Sequence, residues 1–101
     1  MLIDTELLNS VSDKAKKSNR LRMNYNFHTS LDAKSQRLLN ALEIGTILPI
    51  HRHTHTSETY IVLRGSIKVF YYNKNKEVIS EYIINPLKGV YGINIEIGQW
   101  H

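Results

Sequence analysis

Two histidines and a glutamate stand close together in the segment from Gly45 to Gly65, GTILPIHRHTHTSETYIVLRG. His51 and His53 are two residues apart, so on an extended strand their side chains leave the same face. The small or polar residues 54–57 predict a short bend, after which Glu58 begins a returning strand that can face the histidine pair. Two imidazoles and a carboxylate that converge in this way are typical ligands of a divalent metal ion.

The alternative is that His51, His53 and His55 form a polar, partly exposed strand end with no role in metal binding. Glu58 and the two flanking glycines favour the metal site instead. His55 is left out of the ligand set because it falls in the predicted bend. The chain has no cysteine, so any ion is held by nitrogen and oxygen, which suits Fe, Mn, Co, Ni or Zn.

The spacing of the glycines, histidines and glutamate resembles the first sequence signature of the cupin superfamily. It runs Gly, five residues, His, one, His, four, Glu, six, Gly. The end of the chain, Gly98 to His101, resembles the end of the second signature, and this resemblance implies that His101 is the fourth ligand. Two positions depart from that second signature, with Glu96 in place of proline and Val90 in place of glycine.

The segments NRLRMNYNFHTS and QRLLNALEIGTILPIHRH resemble the WbuC-type cupin-fold metalloproteins, small bacterial proteins found among genes for surface polysaccharide synthesis. The resemblance implies a mainly β fold, a cupin jelly-roll barrel (double-stranded β-helix) with an N-terminal α-helix and one bound divalent transition metal. Cupin barrels continue past the fourth ligand, so we expect a barrel that lacks its last strands here.

A chain of 101 residues is long enough for a single domain with one core. Asp4 or Thr5 can cap a helix that runs to about Lys17 with an apolar stripe. We therefore predict a helical segment, residues 1–18, packed on a barrel domain, residues 19–101. The predicted strands lie around 23–28 and at 36–43, 47–53, 58–63, 66–72, 78–84 and 90–97, with turns at 73–76 and 85–89.

The formal net charge of the chain is +4, and its one cluster of basic residues lies at the end of the predicted helix: Lys14, Lys16, Lys17, Arg20 and Arg22. Aromatic residues do not alternate with that cluster, which argues against a nucleic-acid surface. No apolar run is long enough for a signal peptide or a membrane span, so we expect a cytoplasmic protein. Strands that are apolar on both faces favour a homodimer.

Six polar residues upstream of the histidines are candidates for contact with a small, anionic or sugar-like molecule. His28 is a candidate general base or a surface hydrogen-bonding residue. The candidate binding residues are Arg20, Arg22, Asn26, Arg37 and Asn40. Guanidinium groups can bind phosphate or carboxylate through two hydrogen bonds, although charge that complements the helix dipole is an equal explanation for Arg20 and Arg22.

Three functions fit an open metal site. The first is a metalloenzyme that acts on a sugar or nucleotide-sugar intermediate, as an isomerase, an epimerase or an oxygenase. The second is a metal-dependent module that binds a sugar or a small anion without turnover. The third is a metal that only stabilises a small barrel.

Overall fold

The structure, a computed structural model, describes residues 1–101 and is mainly β with one α-helix near the N-terminus. This confirms the predicted mainly β class. The chain divides into two compact units, Met1–Leu48 and Pro49–His101. The predicted division into a helix, 1–18, and a barrel, 19–101, stays a prediction. The helix lacks the length and apolar character needed to cross a membrane.

The first unit begins with helix α1, Thr5–Lys17. Asp4 caps it as predicted, since its side chain accepts a hydrogen bond from the backbone N–H of Leu7 at 2.9 Å. Val11 and Ala15, on the predicted apolar stripe, are 3% and 0% exposed. Through this stripe α1 packs against the two strands of the unit.

These strands are β1, Arg22–Asn26, and β2, Leu38–Leu42, and they pair antiparallel. Arg22 lies opposite Leu42 and Asn26 lies opposite Leu38. Both strands were predicted: the first around 23–28, slightly later in the chain than observed, and the second at 36–43, with wider bounds. Residues 27–37 connect them as an irregular loop.

The second unit contains four strands in two antiparallel pairs. They are β3, Glu58–Ile61; β4, Ile67–Tyr72; β5, Val78–Ile84; and β6, Gly92–Ile95. β3 pairs with β6, and β4 pairs with β5. A single 3-10 turn, Pro86–Lys88, lies between β5 and β6. The core of this unit is built on Val69, Ile84 and Ile95.

The turn between β4 and β5 is stabilised by one asparagine. The side chain of Asn73 accepts hydrogen bonds from the backbone N–H groups of Asn75 and Glu77, at 2.9 and 3.0 Å. Lys76 adopts a positive φ of 63°. Asparagine side chains that bond the following backbone are typical of turns, which explains why this turn was predictable.

The prediction of a regular strand at 47–53 is wrong. Pro49 has no N–H to donate to a neighbouring strand, and pairing occurs only further on, at His51 and His53. His51 and His101 exchange both backbone hydrogen bonds, at 3.0 and 2.9 Å, and the N–H of Gly98 donates to the carbonyl of His53 at 2.8 Å. The histidine segment therefore pairs with the end of the chain.

Candidate metal centre

Backbone pairing brings distant histidines together in the second unit. Because His51 and His101 are directly opposite in an antiparallel arrangement, their rings are neighbours, with centroids 4.4 Å apart. His53 follows on the same side as His51, and those two ring centroids are 5.1 Å apart. His101, which sequence alone placed here only through a family resemblance, is thus adjacent to the local histidine pair.

Glu58, the first residue of β3, completes the cluster. Its Oε1 lies 2.8 Å from Nε2 of His53 and its Oε2 lies 3.1 Å from Nε2 of His101. One ligand atom from each of His51, His53, Glu58 and His101 lies within 4.8 Å of all the others. The structure therefore brings together the four residues predicted as ligands in a group that can hold a metal ion.

Two of the histidines are oriented by backbone carbonyls. Nδ1 of His51 lies 3.0 Å from the carbonyl oxygen of Pro49, and Nδ1 of His101 lies 3.0 Å from that of Gln99. A carbonyl only accepts, so each of these contacts is a hydrogen bond when Nδ1 carries the ring hydrogen, and the neutral ring then keeps a lone pair on Nε2. Metal-binding histidines are commonly oriented by such a bond from the other ring nitrogen.

The contact between His101 and Glu58 then has a chemical consequence. A neutral imidazole carries one ring hydrogen, yet both nitrogens of His101 face acceptors: Nδ1 the carbonyl oxygen of Gln99 at 3.0 Å and Nε2 the carboxylate oxygen of Glu58 at 3.1 Å. With the hydrogen on Nδ1, Nε2 and the carboxylate oxygen are two acceptors that face each other. Two acceptors at this distance repel unless a positive charge lies between them or the ring binds a proton. A cation bound by the cluster would remove the repulsion.

His53 has a buried nitrogen without a hydrogen bond. Its Nε2 is close to Oε1 of Glu58, at 2.8 Å, but the ring is not aligned for a hydrogen bond to that oxygen. Leaving a buried polar atom without a partner costs about 1–3 kcal/mol. A metal ion in the plane of the ring, facing Nε2, would satisfy this atom. The unpartnered nitrogen and the types of the four residues therefore both fit a bound metal ion.

Tyr60 supports the carboxylate from the core side. Its hydroxyl donates to Oε2 of Glu58 at 2.9 Å, and its ring packs against the core of the second unit. Burial, the charge of Glu58 and this hydrogen bond raise the pKa of the Tyr60 phenol above its usual range. Sequence reasoning missed this residue, although its position two after Glu58 on a strand puts both side chains on one face.

The cluster is closed on one side and open on the other. The side chain of His101 is 6% exposed, that of Glu58 is 27% and that of His53 is 40%. The guanidinium of Arg52, which stands between the two histidines in the chain, lies 4.7 Å from the ring centre of Trp100. An ion held by these residues would be approachable by a small molecule from the side of His53. His55 is exposed in the bend after His53 and is outside the group.

The other predicted site residues all lie in the first unit, at two ends of the β1–β2 pair. Asn26, His28 and Arg37 are near the connecting loop, where Nδ1 of His28 lies 3.3 Å from the carbonyl oxygen of Arg37. Arg20, Arg22 and Asn40 line a groove toward the other end. The structure thus divides the predicted binding residues into two groups, and their roles stay predictions.

The fold and the cluster define a mainly β protein with three histidines and one glutamate able to hold a metal ion. Residues 3–84 match the model of a family described as a domain of unknown function (DUF6016), and the chain belongs to that family. The matched span includes His51, His53 and Glu58 and ends before His101. No match was found among curated proteins or among solved structures.

Proposed function

We propose that this protein binds one divalent transition-metal ion through His51, His53, Glu58 and His101. The observation that carries the proposal is the approach of His101 Nε2 to Glu58 Oε2 at 3.1 Å while Nδ1 of the same ring is occupied by the carbonyl of Gln99. The unsatisfied Nε2 of His53 supports it independently. Three nitrogen ligands and one carboxylate suit Fe, Mn, Co, Ni or Zn.

We propose further that the fold is a cupin barrel of the WbuC type. The antiparallel strands, the placement of Glu58 at the head of a returning strand and the pairing of His51 with His101 support this. In this arrangement the first histidine pair and the late histidine come from segments that lie side by side.

The preferred activity is that of a metalloenzyme acting on a sugar or nucleotide-sugar intermediate of surface polysaccharide synthesis, by isomerisation, epimerisation or oxygenation. A divalent ion would supply a Lewis acid able to polarise a carbonyl or hydroxyl oxygen. The exposure of His53, at 40% for its side chain, leaves a side from which substrate can approach. The bonds from Nδ1 of His51 and of His101 to backbone carbonyls keep these two ligand rings oriented.

The alternative is a metal-dependent binding module for a sugar or a small anion, without turnover. The groove lined by Arg20 and Arg22 in the first unit favours the anion-binding part of this alternative, because two guanidinium groups suit an anion. Saturable binding with no product would distinguish this module from an enzyme.

The first test is elemental analysis of the purified protein and of His51→Ala and Glu58→Gln variants. We expect about one equivalent of metal per chain in the parent protein and loss of most of it in both variants, because His51→Ala removes a ligand and Glu58→Gln replaces an anionic ligand with a neutral one. Glu58→Gln keeps the shape of the side chain and removes its charge.

His55→Ala is the matched control, since it removes an exposed imidazole two residues from His53. It should keep the metal of the parent protein. A folded parent protein that neither contains metal nor takes up Zn²⁺, Mn²⁺, Fe²⁺, Co²⁺ or Ni²⁺ would contradict the proposal. So would equal metal content in the control and in both ligand variants.

We also propose that two copies of the chain associate through the outer face of the β4–β5 pair. Ile83 is 55% exposed on this face, and it lies opposite Lys68. Lys68 is 3.3 Å from Glu81 on the same face. An apolar surface with one positive and one negative group is complementary to a second copy of itself.

A further inference from the structure

The first unit contains a groove of about 300 Å³ beside strand β1. Its lining combines two arginines and two asparagines with two apolar side chains: Arg20, Arg22, Met23, Asn24, Asn40 and Leu48. No carboxylate is part of this lining, and none forms an ion pair with either guanidinium. The groove therefore carries a local positive charge without an internal counter-ion.

A strained turn presents the two arginines. Leu21, which stands between them, has a positive φ of 56°, a conformation that is costly for a branched side chain. Its N–H donates to the carbonyl of Ser18 at 3.0 Å, and its own carbonyl accepts from the N–H of Glu43 at 2.9 Å and from the hydroxyl of Thr46 at 2.7 Å. Three hydrogen bonds thus hold the turn in a conformation that the isolated sequence would disfavour.

The guanidinium of Arg22 is also anchored. One of its terminal nitrogens donates to the carbonyl of Ile47 at 3.3 Å, which restricts the side chain and leaves its other N–H groups for a ligand. A guanidinium restricted in this way loses less conformational freedom when it binds an anion. Arg20, on the other side of Leu21 in the chain, is exposed and supplies a second positive charge.

The asparagines add neutral polar groups to the same groove. Asn24 and Asn40 lie directly opposite each other on the paired strands, so their side chains share one face. Asn24 is two residues from Arg22 on β1, which places it on that face as well. Amide groups both donate and accept hydrogen bonds, as the recognition of hydroxyl groups requires.

We infer that this groove is a binding site for a small polyhydroxylated anion, with Arg20 and Arg22 holding a phosphate or carboxylate and Asn24 and Asn40 contacting adjacent hydroxyl groups. This inference rests on the binding-module alternative proposed above and names the ligand class for its arginine groove. The site uses residues of the first unit only, so anion binding can be tested separately from metal binding. It assigns Asn24 a role that the sequence did not suggest. It also separates Arg20 and Arg22 from Arg37, which lies toward the other end of the strand pair.

The test is a titration of the full chain, observed through its backbone amide resonances at constant ionic strength, with three probes. The probes are inorganic phosphate, a hexose phosphate and a hexuronic acid. We expect saturable shifts at residues 20–24 and around Asn40. An Arg20→Gln variant should raise the dissociation constant for all three at least about tenfold, because a charged hydrogen-bonded contact is lost.

Arg20 forms no side-chain hydrogen bond in the structure, so this variant should fold normally. Lys74→Gln removes the same charge from an exposed turn residue outside the groove and is the matched control. It should leave all three dissociation constants unchanged. Asn24→Ala should weaken the hexose phosphate and the hexuronic acid but not inorganic phosphate, since only the first two carry hydroxyl groups next to the anion.

Three results would overturn the inference. They are shifts spread over all basic residues, equal weakening by Lys74→Gln and Arg20→Gln, and the absence of shifts in the groove up to millimolar probe. Metal content is measured on the same samples. Metal content near one equivalent without anion binding in the groove would contradict only the groove proposal. Anion binding in the groove without metal would contradict only the metal proposal.

Discussion

Tyr60 connects the carboxylate of the candidate metal centre to the hydrophobic core. Its hydroxyl donates to Glu58 at 2.9 Å and its ring packs against the cluster around Ile84 and Ile95. Residues that orient a ligand in this way commonly contribute about 10–100-fold to metal affinity. We expect Tyr60→Phe to weaken metal binding by about tenfold or more, as measured by competition with a chromophoric chelator.

Tyr91→Phe is the control, because Tyr91 is 63% exposed and its hydroxyl makes no hydrogen bond. It should bind metal like the parent protein. An unchanged affinity in Tyr60→Phe would mean that the hydrogen bond does not orient Glu58, although it would leave the four ligands in place.

The same residue predicts a pH dependence in the metal-free protein. Burial, followed by the charge of Glu58 and the hydrogen bond, raises the pKa of the folded Tyr60 phenol above its ordinary value of 10.0. When the pKa of a phenol is higher in the folded state than in the unfolded state, the protonated phenol stabilises the folded state. This contribution is fully present below pH 10.0 and is lost as the pH rises toward the pKa of the folded state. The stability of the parent protein should therefore fall more steeply above pH 10.0 than that of Tyr60→Phe.

Tyrosine absorbance near 295 nm checks this prediction while the protein remains folded. The chain has six tyrosines, and Tyr60 should stay protonated through the pH range in which a free phenol ionises. The parent protein and Tyr60→Phe should then show the same absorbance change around pH 10–11. A smaller change in the variant would show that Tyr60 ionises normally.

The separation of the site residues along the chain explains which of them could be predicted from the sequence. His51, His53 and Glu58 are close in the chain, so strand alternation and one bend were enough to bring them together. His101 reaches them through backbone pairing across a long stretch of chain, which local patterns do not reveal, and only the family resemblance pointed to it. Tyr60 was missed because a tyrosine on a strand is ordinarily a packing residue.

At the scale of the elements, predictability depended on local hydrogen bonds. Helix α1 and the β4–β5 turn were predicted because Asp4 and Asn73 cap or bond the backbone next to them. The prediction of a strand at 47–53 is wrong because an extended sequence pattern does not show whether a neighbouring strand is available for hydrogen bonding along its whole length. Pro49 interrupts the donor pattern, and only His51 and His53 find backbone partners at the end of the chain.

The close contact between β3 and β6 leaves no room for a side chain at Gly92. A Cβ added at Gly92 would lie 2.3 Å from the carbonyl oxygen of Tyr60, so Gly92→Ala must force the two strands apart. Overpacking of this kind costs about 1–3 kcal/mol. Because Glu58 begins β3, we expect a lower melting temperature together with weaker metal binding, measured by calorimetry and by chelator competition.

Gly65→Ala separates these two effects. Gly65 has a φ of 80° and open space around it, so an alanine there adds backbone strain of roughly 1–2 kcal/mol without a clash between β3 and β6. It should lower the melting temperature and leave metal affinity unchanged. Equal metal affinity in the two folded variants would show that the β3–β6 contact does not position Glu58.

At the scale of the whole molecule, the two proposed sites belong to different compact units. The four candidate ligands lie within Pro49–His101 and the arginine groove lies within Met1–Leu48. Each unit has few fully buried apolar residues: Val11 and Ala15 in the first, and Val69, Ile84 and Ile95 in the second. Small cores of this kind commonly need additional stabilisation from a metal or from association.

The apolar surface indicates which association to expect. Nineteen large hydrophobic side chains are exposed against five buried apolar residues, a balance that favours an interface in solution. On the outer face of β4–β5, Ile83 is 55% exposed beside the Lys68–Glu81 pair. We therefore predict a homodimer, detected by sedimentation equilibrium over a range of protein concentrations.

Ile83→Glu should shift this equilibrium toward monomer at least about tenfold, because dimerisation would then bury an additional charge. The new carboxylate would lie opposite Lys68, so the isolated chain should tolerate it. Ile44→Glu is the matched control, since Ile44 is 100% exposed in the first unit and lies outside the proposed interface. A parent protein that sediments as a monomer at all concentrations would refute the dimer, whereas equal weakening by both substitutions would place the interface on another surface.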